Sequence, residues 1–306
     1  MKNSSALPKT GSVARIGVLL TDDAAHPNYA ALRDGLEALG LIDGKTIAIE
    51  ARFAEGRLDR LPRLAAELAA LPVDIIAAVG AVHCRVAQQV ASHLPIIFAV
   101  VVDPVAVGLV ANAERPGGNA TGVTNFDPSQ AREELLLLRK VIPNLQRIAI
   151  LGDGGAPDAL PRAACAAAKA LGMQAQLHLP RSPEDLESVF SAMRDAGADA
   201  LVALGVPIVN THGAYIAASA RAARLPTIIA RDGARFGPLL AHGTSFATAV
   251  RRMSEMIDRV LKGERPGEIP VARVFEPELV VNLAVAREIG VTIPPELGAR
   301  AVQGIT

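Results

Sequence analysis

The sequence contains no tryptophan, two tyrosines, seven phenylalanines and two cysteines in 306 residues. With aromatics at 3%, any interior must be filled by alanine, leucine and valine. Cys84 and Cys165 stand far apart, in segments that both read as helical, with no CxxC motif and no Cys/His ligand spacing. That pattern speaks against a structural zinc site and, in a chain this long, against a disulfide framework. The formal net charge is zero, so the chain has no bulk electrostatic reason to seek nucleic acid or an anionic membrane. No run of like charges marks a basic arm or an acidic tail. No apolar stretch reaches the length of a membrane span. Residues 1–12 are polar and lack an apolar h-region, so no secretory signal is read there.

What is present is an ordinary globular composition, 50% hydrophobic and 20% charged. At roughly 100–200 residues per domain, the length suggests two domains. Short apolar runs alternate with amphipathic helical patterns. Residues 15–20 (RIGVLL), 46–53, 74–79 (DIIAAV), 95–102 (PIIFAVVV) and 121–124 read as strands. Helices are expected at 28–39, with Tyr29, Leu32, Leu36 and Leu39 on one face, at the segment carrying Leu61, Leu64, Leu68 and Leu71 with Asp59 as its cap, and at 82–91. A short helix is expected after Pro104. The pattern then restarts. Residues 147–151 (RIAIL) echo 15–20, followed by a helix over 159–171, a strand over 173–179 and a helix opened by Ser182-Pro183 with Glu184 and Asp185. Further strands are read at 198–204 and 226–230 around a helix at 210–223, and the tail adds a helix at 245–261, a strand at 279–283 and a helix to Ile289.

Continuous apolar strands alternating with helices imply parallel sheets covered on both faces. The expected fold is therefore α/β, two doubly wound parallel-sheet domains with a cleft between them. The first would span 13–124 with 245–272 returning to it, and the second 125–244 with 273–306. In such sheets ligands bind beyond the carboxyl ends of the strands, at the topological switch point, so the candidate residues are those just after each strand.

Thr21 and Asp22 follow the first strand; Thr21 can offer a hydroxyl, and the bland alternative is a capping loop. Gly80, Ala81, Val82 and His83 follow the third. Gly80 permits close backbone approach, and the helix beginning there points free N–H groups and its positive end at a carboxylate. His83-Cys84 is a poor catalytic pair, because adjacent helical residues point different ways and no third orienting group is evident. Asp103 after the fourth strand either binds an amine or, more in keeping with Asp-Pro, caps the next turn. Asn125 and Phe126 fall at the domain junction. In the second half, Gly152 and Asp153 lie in a glycine-rich turn that lacks the Lys-Ser/Thr of a P-loop and is not a GxGxxG. Gly205 and Val206, then Arg231 and Asp232, close the next two strands. Arg231 is an expected partner for an anion, or else pairs with Asp232 at the surface, and Phe236 can supply an aromatic wall. No catalytic residue, metal site or cofactor is expected.

Several segments carry a resemblance that runs in order along nearly the whole chain. They are residues 15–20 with 32–68 (LRDGLEALGLIDGKTIAIEARFAEGRLDRLPRLAAEL), 95–126 (PIIFAVVVDPVAVGLVANAERPGGNATGVTNF), 259–271 (RVLKGERPGEIPV) and 278–297 (ELVVNLAVAREIGVTIPPEL). In these the chain resembles the ABC-transporter substrate-binding family that includes tryptophan- and aromatic-ligand-type receptors. The resemblance implies a type I periplasmic-binding fold, export to the periplasm or to a membrane-associated extracytoplasmic position, and delivery of ligand to an ABC permease, without fixing the ligand. The expected ligand is a small organic molecule held in the cleft (an amino acid, aromatic acid or other carboxylate). No catalysis is expected, and a monomer is expected because a closing cleft needs free domain motion. The alternative is a cytoplasmic ligand-sensing module of the same fold. The chain departs from the family pattern where members often carry Gly-Thr after the third strand and it has Gly80-Ala81. It departs again where members often carry an Asp and it has Gly205-Val206-Pro207. In the family the Thr helps hold a ligand carboxylate; losing the Asp would weaken a site for an α-amino group, which implies a carboxylate or mostly apolar ligand without an essential ammonium.

Overall fold

The structure is a computed structural model that describes residues 13–21, 24–301 and 303–305. In chain order the elements begin with β1 (Ala14–Leu20), α1 (Pro27–Ala38), β2 (Ile47–Phe53), α2 (Leu61–Ala70), β3 (Ile75–Val79), α3 (Ala81–Val90), β4 (Ile96–Ala99) and β5 (Ala120–Thr124). There follow α4 (Pro128–Val141), β6 (Arg147–Leu151), α5 (Ala159–Ala170), β7 (Gln174–His178), α6 (Leu186–Asp195), β8 (Ala200–Ala203), α7 (Pro207–Ala222), β9 (Thr227–Ala230) and β10 (Leu240–Gly243). The chain closes with α8 (Phe246–Leu261), β11 (Ala272–Arg273), β12 (Glu278–Asn282), α9 (Leu283–Ile289), α10 (Pro295–Arg300) and β13 (Gln303–Ile305).

Two compact units result. The first runs through Phe126 and takes in Phe246–Val274; the second is Asp127–Ser245 with the chain from Phe275 onward. The first unit's sheet has the order β11-β5-β4-β3-β1-β2 and every pairing in it is parallel. The second's is β13-β12-β10-β9-β8-β6-β7, with β12 antiparallel to β10. Each strand order reverses once, between β1 and β3 in the first unit and between β6 and β8 in the second. Those are the switch points at which a doubly wound sheet opens a crevice.

The central strands are the apolar runs that a sheet covered on both faces requires: β3 and β4 are buried throughout. Small side chains do much of the packing. In α1, a Cβ on Gly35 would lie 2.5 Å from the Ser254 Oγ of α8, so glycine lets these helices meet closely, and the Ser254 hydroxyl donates to the Leu32 carbonyl at 3.3 Å.

Several elements differ from the sequence reading. Arg60, not Asp59, precedes α2, and Asp59 pairs with Arg57 at 2.9 Å. No helix follows Pro104; the chain makes turns there, with Leu109 N–H donating to the Pro104 carbonyl at 2.9 Å. The strand β4 stops at Ala99 because Val100 turns into the left-handed region at φ 58°. The helix α4 and the strands β10, β11 and β13 were not anticipated.

Candidate functional site

In the first unit the adjacency of β1 and β3 brings together the residues that follow them. The register sets Leu19 beside Ala78, so Thr21 arrives level with Gly80. Thr21 Oγ1 and His83 Nε2 lie 2.6 Å apart, a hydrogen bond between two residues 62 positions apart in the chain. Asp22 lies outside the described residues.

Gly80 is the residue before α3 and has φ 98°, a conformation that favours glycine. Its amide donates to the Ala99 carbonyl at 2.9 Å. The next three amides, those of Ala81, Val82 and His83, have no intrahelical acceptor, and no side chain caps the helix or places an acid in its first turn. Val82 is exposed. The positive end of α3 therefore presents a set of donors beside a hydroxyl, capped by no described side chain. His83 is buried, and desolvation pulls its imidazole down to about 4, so it is neutral across the ordinary pH range. Its Nδ1 is buried with no hydrogen-bond partner. Cys84, its neighbour, points elsewhere: its thiol donates to the Ala78 carbonyl at 3.5 Å, and burial pushes its pKa up, away from nucleophilic use. One strand further along, Val100 holds a left-handed conformation that is costly for a β-branched side chain. The sequence gives no signal for it.

The other candidates of the first unit lie after β4 and β5. Asp103 Oδ1 accepts from the amides of Val105 and Ala106 at 3.2 and 2.9 Å, as a cap does. Asn125 and Phe126 follow β5 and are half-buried; the Phe126 amide donates to Thr124 Oγ1 at 3.1 Å.

The second unit repeats the geometry with different chemistry. Asp153, after β6, accepts from the Gly155 amide on Oδ1 at 2.8 Å and from the Ile208 amide on Oδ2 at 3.0 Å. The positive end of α7 thus already holds an anion from its own chain, where no described side chain caps α3. Gly152 and Gly154 are packing positions: a Cβ on Gly152 would meet Leu179 at 2.7 Å, and one on Gly154 the Leu179 carbonyl at 2.9 Å. Gly205 and Val206 lead into α7 without any charged side chain, and Val206 is buried in the unit's core.

The Arg231 guanidinium has a carboxylate partner within the second unit's sheet. Its Nε donates to Glu278 Oε2 at 2.6 Å. The register explains why: Ala230 lies opposite His242 and Gly243 opposite Glu278, so Arg231 reaches Glu278 past a residue with no side chain. Glu278 is the partner of Arg231 that sequence reading missed, for pairing with an antiparallel strand leaves no mark in the chain. Phe236 is packed on two sides. The Arg235 guanidinium sits 4.7 Å from its ring centroid, and the ring lies so close to α7 that a Cβ on Gly213 would approach it to 2.2 Å.

Among the described residues, no group of three or more His, Cys, Asp or Glu is arranged to hold a metal ion, and no helix is long and apolar enough to cross a membrane. The family model described as ABC transporter substrate binding protein matches residues 13–305. The chain belongs to the ABC transporter substrate-binding protein family. It is 23% identical over 285 residues to a tyrosine-binding protein of Clostridioides difficile (strain R20291), covering 90% of this chain and 81% of that protein. Among solved structures it resembles the ABC domain from Streptococcus pneumonia in complex with L-Trp, with a TM-score of 0.86, 24% identity and coverage of 96% of this chain and all (100%) of that one. A conserved domain protein from Vibrio cholerae is similar at a TM-score of 0.85, 24% identity and coverage of 96% and 100%. At these identities the structural likeness is one of fold, the type I periplasmic-binding-protein-like architecture of two α/β sheets.

Proposed function

We propose that this substrate-binding protein is the extracytoplasmic receptor of an ABC importer, holding a small organic carboxylate between its two units and delivering it to a membrane permease. Amino acids and aromatic acids are the first candidates, given the tyrosine-binding relative and the tryptophan-bound structure of the same fold. The observation that carries the ligand class is the uncapped start of α3 beside Thr21 and His83. Three backbone N–H groups and a hydroxyl converge there, and among the described residues no side chain caps the helix. The corresponding helix of the second unit is neutralised by Asp153. A carboxylate satisfies donors of this kind at a helix N-terminus. The second unit supplies the rest of the enclosure, with Gly205 and Val206 at its switch point. The receptor acts as a monomer and without turnover.

Native mass spectrometry of freshly purified protein, followed by denaturing extraction, tests this reading. One small carboxylate per chain is the expected result. A bound species without an acid group overturns the ligand class, and conversion of the extracted compound by the protein overturns the receptor reading.

A further inference from the structure

We propose that His83 is a positioning residue for ligand recognition: in its Nε2–H tautomer it donates to Thr21 Oγ1 and leaves the Thr21 hydroxyl proton for an oxygen of the ligand. The inference rests on the receptor reading for what the ligand is, but the tautomer does not.

The geometry leaves two neutral forms to choose between. Nε2 faces Thr21 at 2.6 Å. Nδ1 is buried, unpartnered, and lies over the start of α3, where a Cβ on Gly80 would come within 3.2 Å of it. If Nδ1 carried the proton, a buried N–H donor would go unsatisfied and would face the partial positive charge of the free α3 amides. Thr21 would then have to donate to Nε2, and its hydroxyl would meet a ligand as an acceptor. If Nε2 carries the proton, the group left over is a lone pair, which the positive end of α3 favours. An unsatisfied acceptor is also tolerated better than an orphaned N–H. Burial keeps the ring neutral, as its low pKa of about 4 indicates, so a single tautomer and not a charge does the work. A neutral histidine at a helix N-terminus acting as a hydrogen-bond donor is an established device in enzymes.

The consequence is specificity. With the Nε2–H tautomer, Thr21 and the amides of Ala81, Val82 and His83 form a set made of donors alone. A carboxylate presents acceptors to all of them. The carboxamide of the same skeleton would bring its own N–H groups against donors, an arrangement that rejects it. With the other tautomer, one acceptor enters the set and that discrimination is lost.

Long-range ¹H–¹⁵N NMR of the ligand-free protein at pH 7, with the His83 signals identified by their absence in His83→Gln, reads the tautomer directly. A protonated Nε2 with a bare Nδ1 is expected; a protonated Nδ1 overturns the proposal. Sodium formate, added against sodium chloride at equal ionic strength, is the minimal carboxylate probe, followed at the amides of residues 81–83. His83→Leu should weaken its apparent affinity by roughly tenfold, the effect of a hydrogen bond to a charged group. His83→Gln, whose amide can still donate to Thr21, should recover most of it. In a Thr21→Val background His83→Leu should have no further effect, because its influence passes through that hydroxyl. Equal formate affinity in wild type and His83→Leu overturns the positioning role. A wild-type protein with the Nε2–H form but no formate-specific shifts overturns the carboxylate reading instead, and with it the part His83 plays in recognition.

Discussion

Arg231 shows how far a single residue can be read without its partner. An arginine just past the carboxyl end of a strand is a sound expectation for an anion-binding group, and the strand was legible. The Glu278 that takes its Nε at 2.6 Å was not, because it lies on an antiparallel strand placed by the return of the chain. Since Arg231 and Glu278 are 21% and 34% exposed, solvent screening keeps the pair modest. Arg231→Ala should therefore lower stability by about 1 kcal/mol, show coupling to Glu278→Ala in a double-mutant cycle, and leave affinity for the extracted ligand within about twofold. A loss of affinity of tenfold or more would show that Arg231 holds the ligand. Gly213 gives a second test at this scale. Alanine should gain up to about 1 kcal/mol of helix propensity in α7. A Cβ there meets the Phe236 ring at 2.2 Å, however, and overpacking of that kind costs about 1–3 kcal/mol. Net destabilisation of Gly213→Ala, read by urea denaturation, is the expected sign; a more stable variant would mean that Phe236 moves freely and can serve as a ligand wall after all.

Among elements, those with buried apolar runs were readable and those defined by their neighbours were not. The strands β1, β3, β6 and β8 announce themselves as runs of four or five mainly apolar residues. The two-residue β11 exists because it pairs with β5, and nothing in Ala272-Arg273 says so. The helix α4 was legible and overlooked: Asp127 accepts from the Ser129 amide, Pro128 stands at the first turn, and Leu135, Leu138 and Val141 recur on the buried face. This helix carries Glu134, whose carboxyl burial pushes up to about 7, with the Gln130 hydrogen bond pulling it down and Glu133 raising it. The folded state keeps that proton where the unfolded chain, near 4.5, has lost it. Glu134 therefore makes stability fall as pH rises from about 4.5 to 7, and the loss is complete above that window. His83 on α3 acts in the opposite sense: the unfolded chain binds a proton near 6.5 and the folded one only near 4, so stability is lost as pH falls through that range. Denaturation curves between pH 4 and 8 should show Glu134→Gln more stable than wild type at pH 8, by up to about 3 kcal/mol, with the difference vanishing near pH 4.5. His83→Gln should flatten the acid limb. Parallel pH profiles for wild type and Glu134→Gln would show that Glu134 ionises in the fold at its ordinary value.

At the scale of the whole molecule, the doubled architecture was the most legible feature, because a parallel sheet covered on both faces writes itself as continuous apolar runs and the chain writes that pattern twice. The ligand end was legible to the level of loops, since residues after adjacent strands meet at a switch point. Which helix end is capped was not, because it depends on Asp153 reaching across to Ile208 while no described side chain caps α3. Each unit has a core of its own, so calorimetry of the ligand-free protein should resolve two unfolding transitions, with Gly213→Ala lowering only the one that belongs to the second unit. A ligand gripped by both units raises both transitions together, by about 2.7 kcal/mol of binding free energy at a concentration 100 times its Kd. A ligand seated on the α3 donors alone raises only the first. Movement of both transitions, abolished in both by Thr21→Val, is therefore the outcome that a receptor closing on its ligand requires; movement of the first alone would make this chain a one-sided binder whose second unit serves another purpose.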